Sequence, residues 1–356
     1  MSTSFSEIPI IDLSQATEDS TKPRLLESLR YALTEVGFLY VSNHGVPAAA
    51  VDSLVKALPT LFELDDEAKK SVALENSPHF LGYSGVGAEN TGGKADRREQ
   101  FEFATELAAT WTSGGPLYER LRGPNQWPKG HPELRSAVEA YIGELTRLGE
   151  RFLDLVAQAL SLQSGTFQPF LSDQHRLKLV HYPALSPGDP AASQQGVGPH
   201  KDSSGWWTFL LQASPPEVKG LQVLNKAGAW VDVPVVPGTF VVNIGQAFEV
   251  VTNGACKATT HRVLSGSHER YSVPFFQGVR RDLTKAEAVG TLADHFAGLA
   301  AAGRESEEGH AIDSAFLKGK YDTWGESQLR TKVRSHRENG RKFYPEVYDL
   351  YVNDDA

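Results

Sequence analysis

The stretch GVGPHKDSSGWWTFLLQ, residues 196 to 212, sets a histidine and an aspartate two positions apart and then runs into aromatic and apolar residues. Side chains at i and i+2 of a strand share a face, so a strand over residues 198 to 211 projects His200 and Asp202 together and turns Lys201 away. The surrounding text has the same grain. RLKLVHYP (176–183), GLQVLN (220–225), AWVDVPVVPGTFVVNIG (229–245), ATTHRVLSG (258–266) and RYSVPFFQG (270–278) are short β-rich runs broken by Gly, Pro, Asn and Ser. That is the pattern of an antiparallel sandwich or barrel.

Helical text flanks this region. IPIIDL (8–13) and GFLYVSNHGVP (37–47) read as strands, and TKPRLLESLRYALTEV (21–36) as a helix with Pro23 near its start. PELRSAVEAYIGELTRLGERFLDLVAQAL (132–160) carries apolar residues at alternating steps of four and three, with more beside them, which predicts a long helix packed on a sheet. KAEAVGTLADHFAGLAAAG (285–303) reads as a helix, and residues 322–351 as a closing segment that packs back over the sheet. The expected fold is α+β: a double-stranded β-helix (jelly roll) core over residues 166–283, a helix and strand region over 1–165, and a helical segment over 284–356, all in one compact unit.

With 40% hydrophobic and 22% charged residues the chain reads as an ordinary globular protein. The net charge of −9 disfavours nucleic acid and anionic membranes as partners and leaves a small molecule. The single cysteine, Cys256, excludes an intramolecular disulfide framework and suits a reducing compartment. No apolar run is long enough for a membrane span and no signal region opens the chain, so a cytoplasmic location is expected.

An H-x-D pair alone is a common accident, but ATTHRVLSGSHERYSVPFF adds His261 on another strand and, nine residues later, Arg270-x-Ser272 as a second pair sharing one face. Two histidines and one carboxylate on facing strands make a 2-His-1-carboxylate facial triad, which suits iron(II) and leaves coordination positions open. The lack of thiolates disfavours structural zinc. Arg270 offers a planar fork of donors to a carboxylate, and Ser272 can reach the same oxygens, so an organic acid is the expected co-substrate. A binding jelly roll without catalysis and a zinc hydrolase using the same three ligands are the rivals from other classes.

These segments, with REQFEF (98–103), HYP, TNG and PGTFVVNIG in the same order, resemble the iron(II)/2-oxoglutarate-dependent dioxygenase superfamily in its isopenicillin N synthase-like branch. The resemblance covers most of the chain. It implies that His200, Asp202 and His261 hold iron(II), that Arg270, Ser272 and Tyr182 hold the distal carboxylate of 2-oxoglutarate, and that molecular oxygen oxidises a C–H bond of a small organic molecule, such as an amino acid derivative or natural-product intermediate. The outcome is hydroxylation, desaturation or cyclisation. One departure stands out: many members carry Asn in an NYYP segment where this chain reads VHYP, so Val180 supplies no carboxamide to the co-substrate. The isopenicillin N synthase also lacks that Asn and uses no 2-oxoglutarate. An oxidative cyclase using iron and oxygen alone is therefore the alternative. For substrate contact the candidates are Trp206, Trp207, Phe103 and Phe276, with Arg334 and Phe343 as residues of a closing C-terminal lid. His44 and His181 are set aside as satisfied turn or core histidines.

Overall fold

Alternation decides how the β-rich text folds. In chain order the strands are β1 (Ile10–Asp12), β2 (Phe38–Ser42), β3 (Gly82–Ser84), β4 (Asn90–Thr91), β5 (Lys94–Ala95), β6 (Glu99–Ala104) and β7 (Arg176–Tyr182). They continue as β8 (Gln195–His200), β9 (Trp207–Gln212), β10 (Leu221–Leu224), β11 (Trp230–Asp232), β12 (Phe240–Ile244), β13 (His261–Leu264) and β14 (Arg270–Phe276). The computed structural model describes residues 4–189, 194–297, 312 and 314–354. Within them an eight-stranded sheet runs β1-β2-β12-β9-β14-β7-β6-β3, and a four-stranded sheet runs β11-β10-β13-β8. The large sheet is antiparallel apart from β1 against β2. These two sheets are the layers of a jelly roll.

One face of the large sheet is apolar throughout. Phe101, Phe103, Leu177, Leu179, Phe209 and Phe275 are buried there with the helix Pro132–Ala159, whose apolar stripe includes Leu145, Leu148 and Phe152. Phe152 meets Trp207 and Phe209 edge-on at ring separations of 5.1 and 5.7 Å. Truncating such a side chain loses its transfer energy and leaves a cavity, so Phe152→Ala should cost roughly 3 to 5 kcal/mol of stability. Denaturant unfolding checks this, and a loss below about 1 kcal/mol would contradict the packing described.

The opposite face of the large sheet looks toward the small one. There Val180, Tyr182, Val197, Leu221, Val241 and Val263 form a second apolar cluster, most of whose residues line the space between the sheets. Gly37 joins the helical region to this sandwich. It has φ of 74°, and a Cβ there would lie 2.3 Å from the Lys257 carbonyl and from Thr259 Oγ1. Only glycine lets the chain pass so close to the segment leading into β13.

Four readings change in detail. The single strand expected over 198–211 is two, β8 and β9, separated by a turn at residues 201–206 in which Gly205 has φ of 98°. AWVDVPVVPGTFVVNIG also divides, into β11 and β12, around a Pro-rich turn. The helix over 285–303 is broken after Gly290, and its part beyond residue 297 lies outside the described residues. The closing segment is three helices, Trp324–Ser335, Arg337–Phe343 and Pro345–Val352. Among the described residues no helix is long and apolar enough to cross a membrane.

Candidate active site

The two sheets enclose a cleft of about 980 Å³, its open mouth included. His200 ends β8 and His261 opens β13, and the two are paired across the small sheet with ring centroids 4.2 Å apart. Asp202 reaches the same point from the turn, not from a strand, so its convergence with His200 is made by the chain reversal and not by i, i+2 alternation. Its Oδ1 lies 3.6 Å from each histidine Nε2, and the three candidate ligand atoms fall within 4.8 Å of one another.

The surrounding contacts fix which atoms face inward. His200 Nδ1 sits 2.8 Å from the Gly198 carbonyl and His261 Nδ1 3.2 Å from the Thr259 carbonyl. A carbonyl only accepts, so each Nδ1 carries the proton and each Nε2 keeps its lone pair for the centre. Burial, reinforced by nearby His200, lowers the His261 pKa to about 4, which keeps it neutral at ordinary pH. Burial alone would raise the Asp202 pKa, but the adjacent His200 and His261 imidazoles and the Thr208 hydroxyl together hold it well below the usual carboxylate range.

Asp202 Oδ2 accepts from Thr208 Oγ1 at 2.5 Å and from Asn243 Nδ2 at 2.7 Å, which leaves Oδ1 turned to the histidines. Two imidazoles and one ionised carboxylate, with no thiolate near, are a donor set that fits iron(II). Cys256 is buried, its thiol pushed up to about 12 by burial. Sequence reading missed Thr208 and Asn243. Their signal was present: each is the lone polar residue in an apolar strand core, WTFLL and FVVNI. Thr208→Val and Asn243→Leu should each weaken iron(II) binding by roughly 10- to 100-fold, as loss of an outer hydrogen bond to a ligand does. Iron titration of the apoprotein measures this, and unchanged affinity would contradict the orienting role.

Arg270, Ser272, Tyr182 and Val180 line the same cleft, with Arg270 paired to Tyr182 and Ser272 to Val180 across β14 and β7. The Arg270 guanidinium is buried under the Tyr182 ring, 4.9 Å from its centroid. Its Nη2 donates to Gln212 Oε1 at 3.1 Å, while Nε and Nη1 are buried with no hydrogen-bond partner. Burial lowers its pKa, with Tyr182 opposing. Unmet donors on a buried cation call for an anion.

The substrate candidates divide. Phe276 lines the cleft. Trp206 and Trp207 do not: both are fully buried on the helix side, packed edge-on against Phe248, because Trp207 shares the parity of Phe209 and Trp206 tucks under the turn. Phe103 likewise faces the helices and stacks on Trp127, and the cleft is lined instead by Glu102 of β6 and by Arg98 just before that strand. Arg334 donates to the carbonyls of Tyr351 and Asp354, and Phe343 packs with the C-terminal apolar cluster. The residue that the C-terminal segment brings to the cleft wall is Lys332. His44 Nδ1 accepts from the Val46 amide, and His181 Nδ1 pairs with Glu99 at 2.8 Å, so neither joins the centre.

Residues 174–279 match the family model of the 2OG-Fe(II) oxygenase superfamily, and residues 8–130 match that of the non-haem dioxygenase in morphine synthesis N-terminal region. The chain is 40% identical to the 2-oxoglutarate-dependent dioxygenase frbJ of Dothideomycetidae sp. (strain 11243), over 97% of this chain and 94% of that protein. It is 31% identical to the homoarginine-6-hydroxylase 2-ODD-C23 of Glycine max, over 78% of this chain and 86% of that one. A solved structure of a putative 2OG-Fe(II) oxygenase family protein from Caulobacter crescentus superposes with a TM-score of 0.71 at 26% identity, covering 93% of this chain and 99% of that chain.

Proposed function

The chain belongs to the 2OG-Fe(II) oxygenase superfamily, and on that premise we propose that His200, Asp202 and His261 hold the iron of a 2-oxoglutarate-dependent dioxygenase acting on a small molecule. The observation that carries the site assignment is the convergence of that triad with a buried, half-unpartnered Arg270 in one cleft. Iron(II) with 2-oxoglutarate and molecular oxygen supplies the oxidising power that breaks a substrate C–H bond, releasing succinate and carbon dioxide. The oxidative cyclase that dispenses with 2-oxoglutarate is the less favoured reading.

The protein's part is positional. The two Nε2 lone pairs and Asp202 Oδ1 offer three ligands, and Thr208 and Asn243 hold the carboxylate so that its second oxygen stays turned away. Arg270, with Ser272 and Tyr182 beside it, takes the distal carboxylate of 2-oxoglutarate and so sets which end of the co-substrate reaches the triad. Val180 contributes an apolar wall there.

The similarity to a homoarginine hydroxylase supports an amino acid derivative or a natural-product intermediate as substrate. A cytoplasmic location, read from the lone cysteine, and the exclusion of nucleic acid, read from the net charge of −9, belong to the same proposal. Aerobic protein supplied with iron(II) and 2-oxoglutarate should release succinate slowly even without its substrate. No succinate above a metal-free control would contradict the reading.

A further inference from the structure

Away from Arg270 the cleft continues over a charged wall. Arg176, Lys178, Val180 and Tyr182 alternate on one face of β7, and Lys178 lies directly across from Glu102 of β6. Residues two apart on a strand are about 7 Å apart, so Lys178 stands one step beyond Val180 on the side away from the co-substrate anchor. Lys332 descends from the helix Trp324–Ser335 and donates to Glu102 Oε1 at 2.8 Å. Arg176 Nη1 binds the same oxygen at 2.6 Å and also donates to the carbonyl of Phe80, while its Nη2 donates to that of His79.

Lys178 is less committed. Its Nζ is 3.7 Å from Glu102 Oε2 and 3.7 Å from Glu89 Oε1, beyond hydrogen-bond distance, and Glu102 Oε2 is itself buried without a hydrogen-bond partner. Arg98 is held by Glu89 and Asp96. Among the described residues the wall thus sets four cations (Arg98, Arg176, Lys178 and Lys332) against three carboxylates (Glu89, Asp96 and Glu102). A protonated His336, 3.4 Å from Glu89, would only add to the excess. On the other side Lys201 is matched by Glu249. An uncompensated buried positive charge is costly, and an anion relieves it.

We propose that the substrate is a carboxylic acid whose carboxylate is met by Lys178 and Lys332, with Glu102 as the positioning residue that holds both ammonium groups at the wall. The inference rests on the oxygenase reading given above and narrows its substrate class. It also sets a pH dependence. Burial lowers the Lys332 pKa to about 8, Glu102 of β6 opposing and Arg176 and Lys178 of β7 adding to the fall. Lys332 is therefore charged below about 8 and loses its proton above it, so carboxylate binding weakens as pH rises through that value.

The test uses holoenzyme loaded anaerobically with iron(II) and 2-oxoglutarate, titrated with a library of small free acids and their primary amides. The readout is the change in the visible absorption of the iron chelate, in the wild type and in Lys178→Gln. Acids should perturb the absorption and their matched amides should bind at least roughly tenfold more weakly. Lys178→Gln should erase that preference while the chelate forms at unchanged 2-oxoglutarate concentration. Amides equal to acids, or no response to any acid, overturns the carboxylate assignment. An acid preference that survives Lys178→Gln overturns the assignment of the residue. Failure of the wild type to form the chelate at all strikes instead at the oxygenase reading.

Discussion

Asp202→Asn is expected to give a folded protein that retains no iron(II) through desalting and releases no succinate. The substitution is nearly isosteric. An amide oxygen placed where Oδ2 now sits can still accept from Thr208 and Asn243, so the buried hydrogen bonds survive and the fold with them. The atom turned to His200 and His261 then becomes an NH2 group, which donates and cannot ligate. The centre also loses its only anionic ligand. Changes one shell out from a metal cost roughly 10- to 100-fold in affinity, and loss of a ligand should exceed that. Metal analysis and succinate assay read both effects. Stoichiometric iron with full activity in this variant would refute the triad, and His200→Ala offers the same test from the other side.

Arg270→Gln should leave iron in place and raise the 2-oxoglutarate concentration needed for half-maximal succinate release on the order of 100-fold. A charge-assisted pair between a guanidinium and a carboxylate is worth roughly 2 to 5 kcal/mol when desolvated, at 1.4 kcal/mol per tenfold. Arg270 is fully desolvated and has two donors free for such a pair. Arg270→Lys should recover only part of the loss, because an ammonium keeps the charge without the planar fork. An unchanged 2-oxoglutarate requirement with iron bound would mean that Arg270 grips the substrate's own acid, as in the cyclase alternative.

Much of this was legible in the text. Alternating β-rich runs gave the jelly roll, and His200, His261, Arg270 and Ser272 could be read onto one cleft because they lie at strand ends or share a strand face, whereas Asp202 joins them from the turn after β8. The turn at 201–206 was not legible, since SSGWW carries a strand-like aromatic pair directly after its glycine. The same pair misled on substrate contact: large aromatics beside a motif look available, but the helix layer claimed both tryptophans. On β6 every residue is buried, one face by apolar helices and the other by the charged cleft, so the apolar parity drew attention away from Glu102. Lys332 was hidden for a similar reason. In a segment rich in Lys and Arg, nothing in the sequence marks Lys332 as the residue whose ammonium pairs with Glu102 at the cleft wall.

The most direct test of the central claim is an anaerobic titration of the apoprotein with iron(II) and then 2-oxoglutarate, followed by visible absorption. The account predicts a weak charge-transfer absorption that saturates at one equivalent of iron(II), is absent in Asp202→Asn, and needs far more 2-oxoglutarate in Arg270→Gln. Iron bound by the wild type with no such absorption at saturating 2-oxoglutarate would contradict it.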